Sequence, residues 1–455
     1  MRCCLALVCS LSLWGCGLGM VSLGVCQEPS GSPEAIERVD FDTYFTDKAL
    51  RFELLQFGSQ AESKTVLHRI VEEPNWPGNR KQPLFPFPYG RCSLQVYDQA
   101  SGQLIYSFGF DTLYNEYATT KPAADGKWRS FPFSVRIPKP KSRFRVELAI
   151  RRSDHTWDKV WEKSLRPSNQ EVRQESNDFG DTVLEMMITG DPAERVDLVF
   201  LAEGYSKSEQ DKFRADADRM TRFMFEHEPY RSNRQRFNIR GVFRPSPESG
   251  VDEPDKRSYR NTALNASFKT LGVDRYLLTE DGHAIHQYAA QVPYDTVVIL
   301  VNSSRYGGGA ICLDFCICTV DESHSPEVFL HEFGHSFAYL ADEYIGTSPY
   351  NEIYPEGLEP VEPNITRTLD RKLIKWSSML TEEVPLPTTL SLAPRGTDPN
   401  ELVGAFEGGG YVKKGMFRPQ INCAMGSFSK QFQYCVVCRH AIERMIDYYA
   451  PLPSE

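Results

Sequence analysis

No long basic run occurs anywhere in these 455 residues, and the formal net charge is −10. A nucleic-acid partner would lack its electrostatic footprint, and an acidic total of this size speaks mainly for solubility. After the first 25 or so residues, no stretch is apolar for long enough to span a bilayer. No internal repeat is visible. The composition of a disordered chain is missing too, since 41% of residues are hydrophobic and 25% charged. The length exceeds one ordinary core, so two or three domains are expected.

What is present is unevenly placed. Of the 12 cysteines, five fall within residues 1 to 26. The others are Cys92, Cys312, Cys316, Cys318, Cys423, Cys435 and Cys438, an odd number that cannot all pair with one another. The opening "MRCCLALVCSLSLWGCGLGMVSLG" has one arginine, an apolar run and then small residues, with Ser22 and Gly24 placed as a signal peptidase requires. Residues 1–25 therefore read as a secretory signal, and a secreted, periplasmic or cell-surface protein is expected. Cys16 or Cys26 leaves a lipoprotein signal open, although Trp14 and Val25 fit poorly beside them. Any membrane tether would then be by lipid only. Export permits disulfides.

Residues 27 to 40 form a polar leader. From 41 to 165, stretches such as "SLQVYDQ", "GQLIYSFGF" and "RFRVELAIRR" alternate apolar and polar residues between turn formers. That pattern predicts a small all-β sandwich domain, structural or substrate-presenting and without chemistry of its own. Residues 166–181 are polar and unpatterned and read as a linker. Over 182–452 strands alternate with helices, which predicts an α/β domain. "RVDLVFLAEGY" is a buried strand, "YDTVVILVNSS" a central one, and "EDGHAIHQYAAQV" a helix. Ser206 and Glu209 have the spacing of a capping box before an amphipathic helix with Phe213, Ala217, Met220 and Met224 on its apolar face. Residues 345 to 410 read as long loops, with a short helix expected near Leu373 to Met379.

The chemistry concentrates in "EVFLHEFGHSFAYLADEY", residues 327 to 344. Positions four apart share a helix face, so His331 and His335 can aim at one point. Glu332 stands beside the first, near enough to take a proton from water activated at a metal without ligating. Zinc suits such nitrogens and lowers the pKa of its water towards about 7. Val328, Phe329, Leu330, Phe333 and Phe337 make the helix mostly apolar, where unpartnered imidazoles would be costly. The bland alternative is a core helix whose histidines are satisfied by hydrogen bonds. A catalytic zinc needs a third ligand and an open position. Asp342 is the first choice, with Glu343, Glu352 and Glu356 as rivals; Asp342 reaches the metal only if the helix stops and the chain turns back.

Taken together, these residues and their flanks resemble the IgA-cleaving zinc metallopeptidases, an outlying branch of the metzincins. The resemblance covers most of residues 190 to 450, and a preceding β domain fits that family's layout. It implies an α/β (α+β) metzincin-like zinc peptidase domain, with "RVDLVFLAEGY" as first strand. "SSRYGGGAICLDFCICT" resembles the edge strand beside the substrate backbone, and "YVKKGMFRPQINCAMGSF" carries Met425 of a Met-turn. Gly307, Gly308 and Gly309 would let a peptide approach closely and add a strand; an ordinary glycine loop is the alternative. Met425 could supply an apolar floor beneath the histidines. Cys423 could bridge to Cys435 or Cys438, with a structural zinc on Cys435-x-x-Cys438 as the alternative, less favoured in an exported protein. Ala338 and Ala341 stand where common metzincins carry glycine and the third ligand. Tyr339 stands where this branch would carry glycine, which makes the chain reversal harder. Tyr411 or Tyr344 could supply a phenol to an oxyanion.

The expectation is a monomeric, exported zinc endopeptidase acting on protein or peptide substrates. Zn2+ is held by His331, His335 and Asp342, Glu332 is general base, and no nucleic acid takes part. Two rivals remain open: an inactive surface-binding relative that keeps zinc as structure, and a zinc amidase acting on another bond.

Overall fold

In the amino-terminal region two four-stranded sheets form, with burial alternating residue by residue along Cys92–Asp98 and running unbroken through the middle of the longer strand Phe45–Gly58. The computed structural model describes residues 39–168, 170–175, 179–346, 353–390, 398, 401–426 and 432–452. Residues 1–25, read above as a secretory signal, the lipid-carrying candidates Cys16 and Cys26, and the rival ligand Glu352 lie outside the described residues. A one-turn helix α1 (Phe41–Tyr44) precedes β1 (Phe45–Gly58) and β2 (Ser63–Glu73), followed by β3 (Cys92–Asp98) and β4 (Leu104–Phe110). Short helices α2 (Leu113–Tyr117) and α3 (Lys121–Ala124) lead to β5 (Arg129–Pro140), β6 (Phe144–Arg151), β7 (Trp157–Leu165) and β8 (Val172–Gln174). The sheets run β5-β1-β2-β8 and β4-β3-β6-β7. Phe52 of β1 meets Trp161 of β7 edge-on at 6.3 Å, joining the two sheets. The stretch read as an unpatterned linker thus contributes β8, a short strand parallel to β2.

The second region is built on a six-stranded sheet. Its strands are β9 (Thr182–Met187), β10 (Val196–Glu203), β11 (Phe237–Phe243), β12 (Thr296–Val301), β13 (Gly308–Ile311) and β14 (Phe315–Thr319), in the order β13-β14-β12-β10-β11-β9. The four central strands are parallel, while β13 and β9 run antiparallel at the two edges. Parallel strands covered on both faces read as continuous apolar runs, and β10 and β12 are buried at every residue. Leu198, Phe200 and Ala202 face one core, shared with α4 (Gln210–Glu226), α6 (Ser325–Ala338) and α7 (Val436–Tyr449). Val199 and Leu201 face the other, shared with α5 (Gly282–Ala289).

Local signals behave as their chemistry demands. The Ser206 N–H donates to Glu209 Oε2 at 2.7 Å ahead of α4, and Phe213, Ala217, Met220 and Met224 are fully buried, each large side chain contributing about 1.5–3 kcal/mol. Of the short helix expected at Leu373 to Met379, only its last three residues form one, a single 3-10 turn at Ser377–Met379. Its apolar signal comes from Trp376, which is buried as a loop anchor with its indole N–H on Gly404 O at 2.7 Å. A hairpin of β15 (Phe406–Gly409) and β16 (Val412–Arg418) follows. Among the described residues, no helix is long and apolar enough to cross a membrane.

Candidate metal centre

α6 is mostly buried, and it stops abruptly. Tyr339 adopts the left-handed conformation at φ 55°, ψ 33°, and the Tyr339 and Leu340 N–H groups close the helix on His335 O (3.1 Å) and Gly334 O (3.2 Å). A non-glycine residue there costs roughly 1–2 kcal/mol. The offset comes from the ring, which is 4% exposed and stacks on Tyr89 of the amino-terminal region at 5.2 Å and 6°. The reversal that tyrosine was expected to hinder is therefore made, with help from another part of the chain.

Beyond the reversal the backbone is fixed residue by residue. Asn364 brackets Ala341, accepting its N–H and donating to its carbonyl, both at 2.8 Å. Gly410 N–H donates to Asp342 O at 2.7 Å, and Tyr411 N–H to Tyr344 O at 3.0 Å. This brings Asp342 back to the histidines. Its Oδ1 lies 3.0 Å from His331 Nε2 and 3.5 Å from His335 Nε2. The imidazoles stand nearly perpendicular, centroids 5.0 Å apart.

The other ring nitrogens are engaged. His331 Nδ1 donates to Ala424 O at 2.8 Å and His335 Nδ1 to Leu340 O at 2.5 Å. Carbonyls accept only, so in the neutral rings both Nε2 lone pairs face the carboxylate. Asp342 Oδ1 is buried without a hydrogen-bond donor. Three converging lone pairs of this kind suit a cation, and the three residues form a group able to hold a metal ion. With no cation between them, a proton competes for the same place. Burial pushes His335 down, but the Asp342 carboxylate outweighs it and brings the ring up to about 9. Burial pushes Asp342 up, but the two imidazoles hold it well below the usual carboxylate range.

Glu332 stands next along the helix, half-buried, its acidity weakened by burial against the opposing pull of the two histidines. The three glycines are crowded by the chain itself. A Cβ on Gly308 would lie 2.6 Å from Val328 and 3.2 Å from Glu332 Cγ, one on Gly307 2.3 Å from Phe268, and one on Gly309 2.8 Å from Tyr276. Gly308 thus makes room for Glu332. The glycine strand is an edge strand of the sheet, although Leu277 N–H already donates to Gly308 O at 3.2 Å. Met425 is fully buried, and a Cβ on Gly334 would meet its sulfur at 2.6 Å, so the thioether lies against α6 at the residue before His335.

Of the tyrosines, Tyr411 donates its hydroxyl to Asp342 Oδ2. Tyr344 receives Arg275 Nη2 at 3.1 Å and packs edge-on to Tyr411 at 5.2 Å. Glu343, the rival of Asp342, is not with the histidines; it faces Cys423, Cys435 and Cys438. Glu356 is exposed and belongs to no metal-capable group among the described residues. No disulfide forms there, the seven described cysteines being free and Cys423 Sγ 3.6 Å from Cys438 Sγ. Sequence reading missed Asn364, the Ala424 carbonyl and the Tyr89 support, all of which act through contacts distant along the chain.

The family model described as IgA Peptidase M64 matches residues 184–393 and 395–446. A second, described as Peptidase M64 N-terminus, matches residues 40–162. No curated protein matches the chain.

Proposed function

We propose, from the premise that the chain belongs to the IgA peptidase M64 family, that it is an exported zinc-dependent endopeptidase of metzincin-like design. In this reading residues 41–165 form a β-sandwich domain and 182–452 the catalytic domain, joined through 166–181. The observation that carries it is the convergence of His331 Nε2, His335 Nε2 and Asp342 Oδ1. A zinc ion held by these residues would supply Lewis acidity, polarising a carbonyl and lowering the pKa of water towards about 7.

The remaining work falls to the chain's own groups. Glu332 accepts a proton from the attacking water and delivers it to the leaving amine. Ala424 O and Leu340 O keep both Nδ1 atoms protonated, so both Nε2 atoms point inward. Tyr411 holds Asp342 in place; donation to an oxyanion, the other role considered for it, would require leaving that bond. The free part of the β13 edge is the proposed rest for a substrate strand. IgA itself is not assigned as substrate, because substrate choice lies in loops.

The test is Glu332→Ala on the full chain, with proteins and peptides followed by mass spectrometry. Hydrolysis should fall by at least about 10²-fold, with zinc content per chain unchanged. Unchanged hydrolysis would overturn the mechanism, and cleavage restricted to non-peptide bonds would favour an amidase.

A further inference from the structure

Behind the histidine cluster, on the opposite side of the segment that bears Asp342, lies a second group of potential ligands. Glu343, Cys423, Cys435 and Cys438 each offer an atom within 4.8 Å of all the others. All are buried, with exposures of 2%, 6%, 3% and 0%. We propose that these four residues form a second, structural metal site that takes a thiophilic divalent ion, zinc, separate from the catalytic one.

The distances have the right scale. Four ligands around zinc at about 2.3 Å per sulfur place neighbouring sulfurs about 3.8 Å apart at the corners of a tetrahedron. Cys423 Sγ and Cys438 Sγ are 3.6 Å apart, and Glu343 Oε1 lies 3.7 Å from Cys435 Sγ and 3.0 Å from Cys438 Sγ. The surroundings suit thiolates. Cys423 Sγ accepts N–H groups from Cys435 (3.3 Å) and Met425 (3.5 Å), and Cys435 Sγ accepts the Cys438 N–H (3.4 Å) at the amino terminus of α7. Such donors stabilise negative sulfur. Asn364 Nδ2 steadies Glu343 Oε1 at 3.0 Å.

A disulfide explains less. It would consume two of the three cysteines and leave the third beside a buried carboxylate whose Oε2 has no hydrogen-bond donor. A cation accounts for all four groups at once. On binding, protonated thiols release their protons to solvent and no electrons change hands. The remaining metal-capable group among the described residues, Glu53, His68 and His283, is less suited, because Glu53 is already paired with Arg51 and Arg69. The consequence is local. The ion would pin Glu343, next to Asp342, to Cys423, next to the Ala424 carbonyl that orients His331, and both to α7. The Glu343 N–H bond to Met425 O at 2.7 Å already draws these segments together.

The test uses the full chain prepared with zinc and without chelator. Elemental analysis should give two zinc per chain, and zinc X-ray absorption should show sulfur scatterers at about 2.3 Å. His331→Ala/His335→Ala should keep one zinc, all of it sulfur-ligated, whereas Cys435→Ser/Cys438→Ser should lose the sulfur signal. Two measurements on the unaltered chain decide the matter even if those variants fail to fold. Absence of sulfur scatterers would overturn the proposal. So would mass spectrometry of unreduced, alkylated protein showing Cys423 disulfide-bonded to Cys435 or Cys438.

Discussion

Tyr411 shows how a single hydroxyl can be read in two ways that differ in what they predict. Its hydroxyl donates to Asp342 Oδ2, the oxygen that does not face the histidines. If that is its task, Tyr411→Phe loosens a ligand, and losing a partner of this kind typically costs about 10–100-fold in metal affinity. If instead it served the oxyanion, kcat would fall by about 10²–10³ with affinity untouched. The geometry favours the first, so the expected result is at least a tenfold rise in the zinc dissociation constant, read by competition with a chelator. Unchanged affinity with a collapsed kcat would reverse the assignment. The choice between Asp342 and Glu343 was not legible for a related reason. They are adjacent acids on a segment bonded to residues 410–411 as a strand would be. Successive side chains along an extended backbone point to opposite sides, so one meets imidazoles and the other thiols. Composition cannot say which; only the distant chain on each side does.

At the scale of elements, the end of α6 weighs backbone strain against burial. Tyr339→Gly would remove roughly 1–2 kcal/mol of left-handed strain. It would also delete a buried aromatic stacked on Tyr89, at a cost of about 3–5 kcal/mol. Burial wins, so the expected net loss is about 1–4 kcal/mol, and Tyr339→Ala, which keeps the strain and loses the ring, should be worse than glycine. Urea unfolding of both variants checks the order; a glycine variant as stable as the parent would show that the ring contributes little. The same balance separates what the sequence revealed from what it hid. β10 and β12 were legible because burial on both faces leaves an unbroken apolar run, and α4 because cap and stripe agree. β8 was hidden because its three residues are largely exposed and held by pairing with β2. The region around Trp376 misled because a buried loop anchor produces the same local apolar signal as a helix. Asn364, 23 positions from Ala341, carries no local signal at all.

For the whole molecule, the decisive surface is the one where the first β sheet meets α5. Residues from Val39 onward form one compact unit, and the junction is charged as well as apolar. Arg51, only 1% exposed, pairs with Glu73 at 2.6 Å, Glu53 at 3.1 Å and Glu175 at 3.2 Å, and reaches His286 O at 3.3 Å. Removing one member of such a buried network leaves charges without partners and costs about 3–5 kcal/mol. Arg51→Ala should therefore destabilise by about that much at neutral pH, in one transition seen alike by tryptophan fluorescence and far-ultraviolet circular dichroism. The pH dependence follows from Glu53. Burial pushes its carboxyl up, but the Arg69 hydrogen bond and the Arg51 charge outweigh it, and the folded value is lowered. Its stabilising contribution is thus fully present above the unfolded value of about 4.3 and fades as pH falls through the lower folded value. In Arg51→Ala that lowering is weaker, so the gap between variant and parent should be widest near neutrality and narrow below about pH 4. Urea titrations from pH 7 to 3 measure this directly. A gap that is constant with pH, or two separated unfolding steps in the parent, would mean that the β layer and the catalytic layer are not joined energetically through Arg51.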